Sequence, residues 1–454
     1  MTTKVAPVLP TDEGRASWFR RMGYVLFFLM LFVPTTYRLP KMLLLAVVLL
    51  VITLAWGRTG CGIKVRPRIA LPLALYAALG CFFALRGVIN NNPGALPSMT
   101  VFVAWPLVYL LLVSAIYRGK HLADLTRTLV ISGVAIGAYG CLYALTQSGR
   151  LPASLYFVQI DQGQIYQGDF GFATLNLTSL STLLFVLPFL ITLAITWPRG
   201  EPLPIGRRWI YLAIVLDASL VLLSARKALF VSLAITPILV LMASSLVRSR
   251  TTPGKRAYQL VMPLITMGLI ISVASMVLDI QWVQLFADFL SGFNPSISGD
   301  ALARQQQTHA LLAGFGDHPL LGAGLGAVAV GSIRSIATPW AYELTYFALL
   351  FDAGLIGLVL YAGGILGSAL RVVSVSRMDP LIRAYAAPVL VGWFSFLIGT
   401  FTNPYLGKFD SMWVIFLPVA LLNVASARRA SGDESTNSAS FGAATVRATI
   451  RASR

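Results

Sequence analysis

Long apolar runs recur along almost the whole chain, and the short polar stretches between them carry most of the basic residues. A run of about 20 apolar residues can cross a bilayer as a helix. Backbone amides inside lipid need internal partners, and the runs lack the apolar-polar alternation of barrel strands, so they predict helices. We therefore predict an all-α polytopic membrane protein. The predicted transmembrane helices, about twelve in number, are residues 22–37, 40–57, 69–86, 98–117, 124–146, 172–197, 208–224, 227–247, 257–279, 346–370, 382–402 and 411–426.

The composition excludes a soluble globular protein of this size. Hydrophobic residues make up 57% of the chain and charged residues 11%, and the mean hydropathy is +0.77. Such a chain has too little polar surface to face water on all sides. The formal net charge is +18, but the basic residues lie in short loops, where anionic lipid and membrane topology account for them. We therefore expect membrane lipid, and no nucleic acid, as a partner.

The distribution of Lys and Arg predicts the orientation. With the N terminus inside, 26 of the 35 basic residues fall in cytoplasmic segments and 9 fall outside, as the positive-inside rule requires. Both termini are then cytoplasmic, and the longest loop, residues 280–345 between the ninth and tenth helices, lies outside. We divide the chain into a cytoplasmic tail (1–21), a transmembrane domain (22–427) and a polar tail (428–454) whose composition predicts disorder.

The predicted helices contain few chemical groups. Cys61, Cys81 and Cys141 are odd in number and lack metal-ligand spacing, so we expect neither a disulfide framework nor a metal site. Asp217 lies inside the seventh predicted helix, where we expect it to make a structural hydrogen bond to a neighbouring helix.

The outside loop is the first place to look for a functional site, because such long loops in compact proteins are usually functional. Within it, residues 300–315 are predicted to form a helix that carries Arg304 and ends before Gly316. A glycine-rich run follows from His318 to Gly326. Its glycines, Gly324 among them, could form an anion-binding nest of exposed amides. They could equally serve close packing of helices in a membrane.

Arg304, the run His318–Gly326 and the segment Tyr346–Gly357 stand in a characteristic order and spacing. Together they resemble the signature region of the O-antigen ligase and polymerase superfamily. Upstream, Leu223–Arg226 resembles the Ser-Arg element of the same family. The similarity covers about residues 165–405.

The resemblance implies a multi-pass enzyme of the bacterial inner membrane whose active site faces the periplasm. Members of the family transfer glycan from an undecaprenyl-diphosphate carrier, using periplasmic arginines and no metal or other cofactor. By this resemblance Arg226 and Arg304 would hold the diphosphate. The chemistry agrees, because guanidinium is permanently charged, forks onto phosphate oxygens and neutralises charge on a leaving diphosphate.

One position departs from the pattern of the ligases. They usually have a histidine followed by asparagine near the end of the large loop, where this chain has Tyr342-Glu343-Leu344-Thr345. Glu343 then becomes the candidate base for the acceptor hydroxyl, a pattern that looks more like the polymerases. We predict a polymerase that joins lipid-linked repeat units, with a chain-length regulator as a possible partner. A ligase that transfers the glycan to lipid A-core stays open as an alternative.

Further residues are candidates for substrate binding, and each has a structural alternative. Basic side chains near a membrane interface often only extend to water, and aromatic residues often form the interfacial belt. The candidates are Arg86, Lys227, His309, His318, Tyr342 and Gly324. A secondary transporter is an alternative of a different class. It is disfavoured because the two halves show no convincing repeat and the polar residues gather on the outer rim, away from the midplane.

Overall fold

The computed structural model describes most of the chain but not the ninth predicted transmembrane segment, residues 257–279, which lies outside the described residues. The described residues are 11–59, 67–147, 149–152, 154, 164–167, 173–198, 202–224, 226–247, 294, 296, 299–331 and 335–452.

The described residues form helices and one antiparallel hairpin. The hairpin pairs β1 (Gln164–Gln167) with β2 (Ala173–Asn176). The helices are α1 (Thr11–Phe32), α2 (Arg38–Thr59), α3 (Pro67–Ile89), α4 (Ala95–Met99), α5 (Trp105–Ser114), α6 (Gly119–Gln147), α7 (Leu180–Thr196), α8 (Arg207–Ser224), α9 (Lys227–Val247), α10 (Gly299–Asp317), α11 (Thr345–Ser376), α12 (Pro380–Gly399) and α13 (Phe409–Ala452). A π-helical stretch, Thr100–Ala104, joins α4 to α5, and two 3-10 turns, Thr400–Thr402 and Tyr405–Gly407, lie between α12 and α13.

Helices overlap every predicted transmembrane segment that falls on described residues. Within the part of the chain that the structure describes, six stretches are long and apolar enough to cross a membrane. The prediction of an all-α chain with several helices of membrane-spanning length and hydropathy is confirmed by these stretches. They are Ala95–Ser114, Gly119–Gln147, Lys227–Val247, Thr345–Ser376, Pro380–Thr402 and Phe409–Ala430.

Several boundaries differ from the prediction. α1 begins at Thr11, so the predicted tail of residues 1–21 is helical in its second half. Residues 173–176, predicted as the start of a helix, form β2. α13 continues to Ala452, through residues for which the polar composition predicts disorder.

α7 and α12 form the centre of the bundle. Every residue from Leu180 to Leu193 is buried, and so is every residue from Ala384 to Trp393. The two helices approach closely at Gly392, where an added Cβ would lie 2.8 Å from the Phe185 carbonyl oxygen. The outer helix α2 instead exposes apolar side chains such as Leu43, which is 60% exposed.

The glycine-rich run His318–Gly326 fills a gap in α11. Gly354 has φ 65° and breaks the helix there. The amide N–H of Gly324 donates to the carbonyl of Asp352 at 2.9 Å, and the amides on either side of it also donate to backbone carbonyls. These donors are therefore not available to an anion. These bonds favour the alternative of close packing for the run, and a role of Gly324 in substrate binding stays a prediction.

We expect the Gly326→Ala variant to lower the free energy of unfolding by about 3 kcal/mol. Gly326 has φ +74°, and a Cβ added there would overlap the backbone of Gly94, so strain and a clash act together. Gly331→Ala is the matched control, because Gly331 has φ +91° but no described residue within 4 Å of an added Cβ. Strain alone should cost about 1 kcal/mol there. Thermal unfolding in detergent measures both variants, and equal melting temperatures would contradict this account of the packing.

Candidate functional site

Arg304 and Glu343, which the sequence assigns to one site, lie side by side. Arg304 is in the second turn of α10, and its Nε is 3.4 Å from Oε2 of Glu343, just before α11. The two side chains are 31% and 17% exposed, so they are partly screened from water yet accessible. Among the described residues, no hydrogen-bond acceptor is found for the Arg304 Nε. The contact is therefore an ion pair slightly beyond good hydrogen-bond geometry.

Gln307 fixes the position of Glu343. Its Oε1 accepts hydrogen bonds from the backbone N–H of Glu343 at 3.0 Å and of Leu344 at 3.1 Å. The Gln307 side chain is buried. Because Arg304 and Gln307 are three residues apart on α10, they share one face of that helix. One helix face thus carries the cation and also anchors the carboxylate beside it.

The Gln307→Leu variant should lose both hydrogen bonds and leave two backbone amides unpaired. We expect the free energy of unfolding to fall by about 2 kcal/mol, because each unpaired buried donor costs about 1 kcal/mol or more. Hydrogen exchange at the amides of Glu343 and Leu344 should become faster. Gln306→Leu is the control, since Gln306 is exposed on the same helix. Unchanged exchange at both amides would show that Gln307 does not hold this segment.

Tyr405 connects the pair to Arg226. It lies in the 3-10 turn Tyr405–Gly407 and is 7% exposed. Arg226, between α8 and α9, donates a hydrogen bond to its hydroxyl. Burial raises the pKa of Tyr405, Arg226 lowers it, and the nearby charges of Glu343 and Arg304 act in opposite directions. The hydroxyl is therefore close to all three charged groups and stays protonated at neutral pH.

Basic residues from two further elements join this group. The Nζ of Lys408 lies 5.7 Å from the ring centroid of Tyr405. Burial lowers the pKa of Lys408, and the neighbouring charges of Arg226 and Arg38 lower it further. Beside them the buried Lys41 forms an ion pair with Asp410 at 2.7 Å. Together these residues form a cationic cluster. It consists of the basic residues Arg38, Lys41, Arg226, Arg304 and Lys408 and the carboxylates Glu343 and Asp410.

The cationic cluster carries more positive than negative charge in a partly buried place. Like charges held close together repel, and removal from water strengthens that repulsion. A polyanion bound there would remove it. Guanidinium groups present several N–H donors in a plane that matches phosphate oxygens. The arrangement therefore suits a phosphorylated ligand, and Glu343 places a proton acceptor at its edge.

Tyr342 and Arg86, predicted as substrate contacts, hold the protein together. The hydroxyl of Tyr342 accepts from the N–H of Ala329 at 2.6 Å and donates to the carbonyl of Ala327 at 3.1 Å. Burial raises the pKa of Tyr342 to about 12. The hydroxyl of Tyr342 thus lies in a small core and is bonded to the backbone, and its contact with substrate stays a prediction. Arg86 donates from its Nε to the carbonyl of Gly322 at 2.9 Å and so supports the glycine-rich run.

The remaining predicted residues lie at varied places. His309 and His318 are exposed, on α10 and at its end, and Lys227 is half-buried at the first position of α9. Asp217 is fully buried in α8. Among the described residues neither of its carboxylate oxygens has a hydrogen-bond partner. The hydrogen bond expected for it is therefore not found in the described part of the chain.

Tyr405, Lys408 and Gln307 were missed by sequence reasoning. Their contacts join segments that are far apart along the chain, which no local pattern reveals. One signal did exist for Lys408, since it is among the few basic residues that the orientation places outside. Gln307 offers a weaker signal, at three residues from Arg304 on a predicted helix.

Among the described residues, no three His, Cys, Asp or Glu side chains lie together as a metal ion would require. No protein-family model and no curated protein matches the chain. What the site does chemically therefore follows from its residues.

Proposed function

We propose that the chain is a glycosyltransferase of the bacterial inner membrane that takes its glycan from undecaprenyl diphosphate. It has about twelve transmembrane helices, cytoplasmic termini, and the cationic cluster on the periplasmic face. The acceptor is a second lipid-linked repeat unit, so the enzyme is a polymerase of O-antigen or a similar surface polysaccharide. The observation that carries the proposal is the convergence of Arg226, Arg304 and Glu343 around Tyr405. The sequence resemblance supports the same donor.

The place where the outside basic residues meet is a second support. Cytoplasmic loops retain most Lys and Arg in membrane proteins, so basic residues on the other side need a separate reason. Of the 9 that the orientation places outside, five belong to the cationic cluster. They come from separate loops and helix ends. Such convergence is expected of a binding site for an anion.

Binding of the diphosphate changes the partners of Arg304. In the free protein its guanidinium faces Glu343 at 3.4 Å. A phosphate that arrives there competes with the carboxylate for the same cation, because both are anions of similar hydrogen-bonding geometry. Donor binding thus takes the charge of Arg304 away from Glu343 when the sugar is in place, and a carboxylate that loses a neighbouring cation accepts a proton more readily.

The transfer itself is a single displacement. The acceptor hydroxyl oxygen attacks the anomeric carbon of the donor sugar, and the bond from that carbon to the diphosphate oxygen breaks. The diphosphate leaves with the bonding electrons, and Arg226 and Arg304 neutralise its growing charge. Glu343 takes the proton from the acceptor hydroxyl. The anomeric centre is inverted.

Polymerase and ligase differ in the acceptor. The acidic residue Glu343, at the place where ligases of the superfamily usually have histidine, favours the polymerase. A ligase would use lipid A-core as acceptor with the same donor chemistry.

The purified protein supplied with radiolabelled lipid-linked repeat units tests the proposal. We expect longer lipid-linked products to form with time, whether or not lipid A-core is present. Label found mainly on lipid A-core would identify a ligase instead. Unchanged donor with a correctly folded protein, as judged by its elution and its melting temperature, would refute glycosyl transfer.

A further inference from the structure

Arg226 is shared by two groups of charges. On one side are Arg304 and Glu343, whose charges act on the hydroxyl of Tyr405 together with that of Arg226. On the other side is Lys408, whose pKa is lowered by the charges of Arg226 and Arg38. Arg226 bonds to the hydroxyl of Tyr405, whereas Lys408 lies against the ring of the same residue. The cations therefore form a series from Arg304 through Arg226 to Lys408 and Arg38.

Asp410 holds in place the turn that carries Arg38, at the end of the series opposite Arg304. Its Oδ2 accepts from the Nζ of Lys41 and from the backbone N–H of Thr35, each at 2.7 Å. The turn between α1 and α2 is thereby tied to the start of α13. Arg38 donates from its Nε to the carbonyl of Thr35 at 3.3 Å, so the turn also places Arg38. The carboxylate of Asp410 is thus bonded at short range to Lys41 and to the backbone of Thr35.

The charges that face Lys408 come from three elements. Arg226 stands between α8 and α9, Arg38 begins α2, and Asp410 lies in the first turn of α13. Burial and the two arginines lower the pKa of Lys408, and Asp410 raises it. A bound phosphate would oppose the effect of the arginines, since an anion favours the charged amine. Lys408 is thus held where an anion would stabilise it.

We propose that Lys408 and Arg38 bind the phosphate that carries the lipid, that Arg304 binds the phosphate that carries the sugar, and that Arg226 lies between them. This orientation rests on the proposed function. The sugar must lie near Glu343, because the acceptor hydroxyl attacks there, and Glu343 adjoins Arg304. The lipid phosphate then falls at the opposite end of the series.

The helix that begins at Arg38 is suited to the lipid chain. Directly after Arg38, α2 exposes a row of large apolar side chains at helical spacing. Side chains three and four residues apart share one helix face, and a polyprenyl chain that leaves a phosphate at Arg38 can lie along them. They are Leu39, Met42, Leu43, Val47, Leu50 and Leu54.

Two lipid probes that carry no sugar separate the two phosphate positions. Polyprenyl monophosphate has only the lipid-bearing phosphate, and polyprenyl diphosphate has both. Binding is measured by titration calorimetry with the full-length protein in nanodiscs. We expect Lys408→Gln and Arg38→Gln to weaken the binding of both probes roughly ten-fold, the usual effect of one lost charge-assisted hydrogen bond. Arg304→Gln should weaken the binding of polyprenyl diphosphate by a similar factor and leave the binding of polyprenyl monophosphate unchanged.

Controls separate a lost contact from a damaged fold. Lys120→Gln, at an exposed lysine in the first turn of α6, should leave both affinities unchanged. Lys408→Arg should bind as the wild type does at neutral pH. As pH rises through the lowered pKa of Lys408, the wild type should lose affinity for the monophosphate while Lys408→Arg keeps it.

The proposed orientation of the diphosphate is overturned if Arg304→Gln weakens the binding of the monophosphate as much as Lys408→Gln does. It is also overturned if Lys408→Gln leaves the binding of the monophosphate unaffected. Because no sugar is transferred in these measurements, the outcome is separate from that of the polymerisation assay. A protein that shows the expected pattern but joins no repeat units would keep the binding orientation and lose the proposed function.

Discussion

The Arg304→Ala variant is expected to transfer glycan about 10²–10³-fold more slowly than the wild type, at saturating donor. In the proposed mechanism Arg304 is the cation next to the phosphate that leaves, and alanine removes its charge and its forked donors. Glu343 then faces the departing diphosphate with no cation between them, so two anions repel each other in the transition state. Initial rates with radiolabelled lipid-linked repeat units and purified protein measure the effect.

Two further variants define what the rate loss means. Arg304→Lys keeps the charge but not the planar fork, so its rate should lie between those of wild type and Arg304→Ala. Arg208→Ala removes an exposed arginine in the first turn of α8 and should leave the rate unchanged. An Arg304→Ala protein that melts like the wild type and works within ten-fold of its rate would remove Arg304 from the mechanism.

Hydrophobicity and turn residues were enough to predict α10. The predicted helix covers residues 300–315, and the observed one runs Gly299–Asp317. Its first turns carry Arg304, as predicted. The helix itself follows from local sequence, but the neighbour of Arg304 does not. That neighbour, Glu343, came from the family pattern, and the ion pair between them needed the structure.

The glycine-rich run shows where local patterns stop being sufficient. Glycines with positive φ suit both a nest of free amides and a close approach of two backbones. Only the partners of the amides decide between these roles, and those partners lie in α11 and α3. The break at Gly354 exposes carbonyls that the run can reach. The sequence of residues 318–326 alone therefore does not reveal which carbonyls accept hydrogen bonds from its amides.

The cationic cluster could be predicted in part. Its basic residues were all placed outside by the distribution of Lys and Arg, yet nothing in that distribution says that they meet. Lys41 and Lys408 differ in no way in that distribution. The structure separates them, because Lys41 is paired with Asp410 at 2.7 Å whereas Lys408 faces two arginines. The two lysines differ because their charged neighbours come from distant parts of the sequence.

The two carboxylates of the cationic cluster have different roles. Asp410 makes short contacts with a lysine and a backbone amide, so it holds the turn between α1 and α2 in place. Glu343 meets its cation at a longer distance and is anchored through its backbone by Gln307. Its side chain is 17% exposed, so a substrate hydroxyl can reach it. In the proposed mechanism, proton transfer from the acceptor hydroxyl is therefore assigned to Glu343.

We expect Glu343→Gln to lower kcat about 10²–10⁴-fold, the usual contribution of a general base. The glutamine has nearly the same shape but cannot accept the proton. It also removes the anion that competes with phosphate for Arg304, so KM for the lipid-linked donor should stay the same or fall. Steady-state kinetics with the purified protein gives both quantities.

Glu343→His should recover part of the lost rate, because a neutral imidazole can also accept a proton, whereas a group with only a structural role would not be replaced by it. Asp317→Asn, at an exposed carboxylate at the end of α10, should leave kcat unchanged. If Glu343→Gln instead keeps kcat and raises KM, the carboxylate positions Arg304 for the donor and the proton leaves by another route. The split between kcat and KM thus distinguishes a base from a positioning residue.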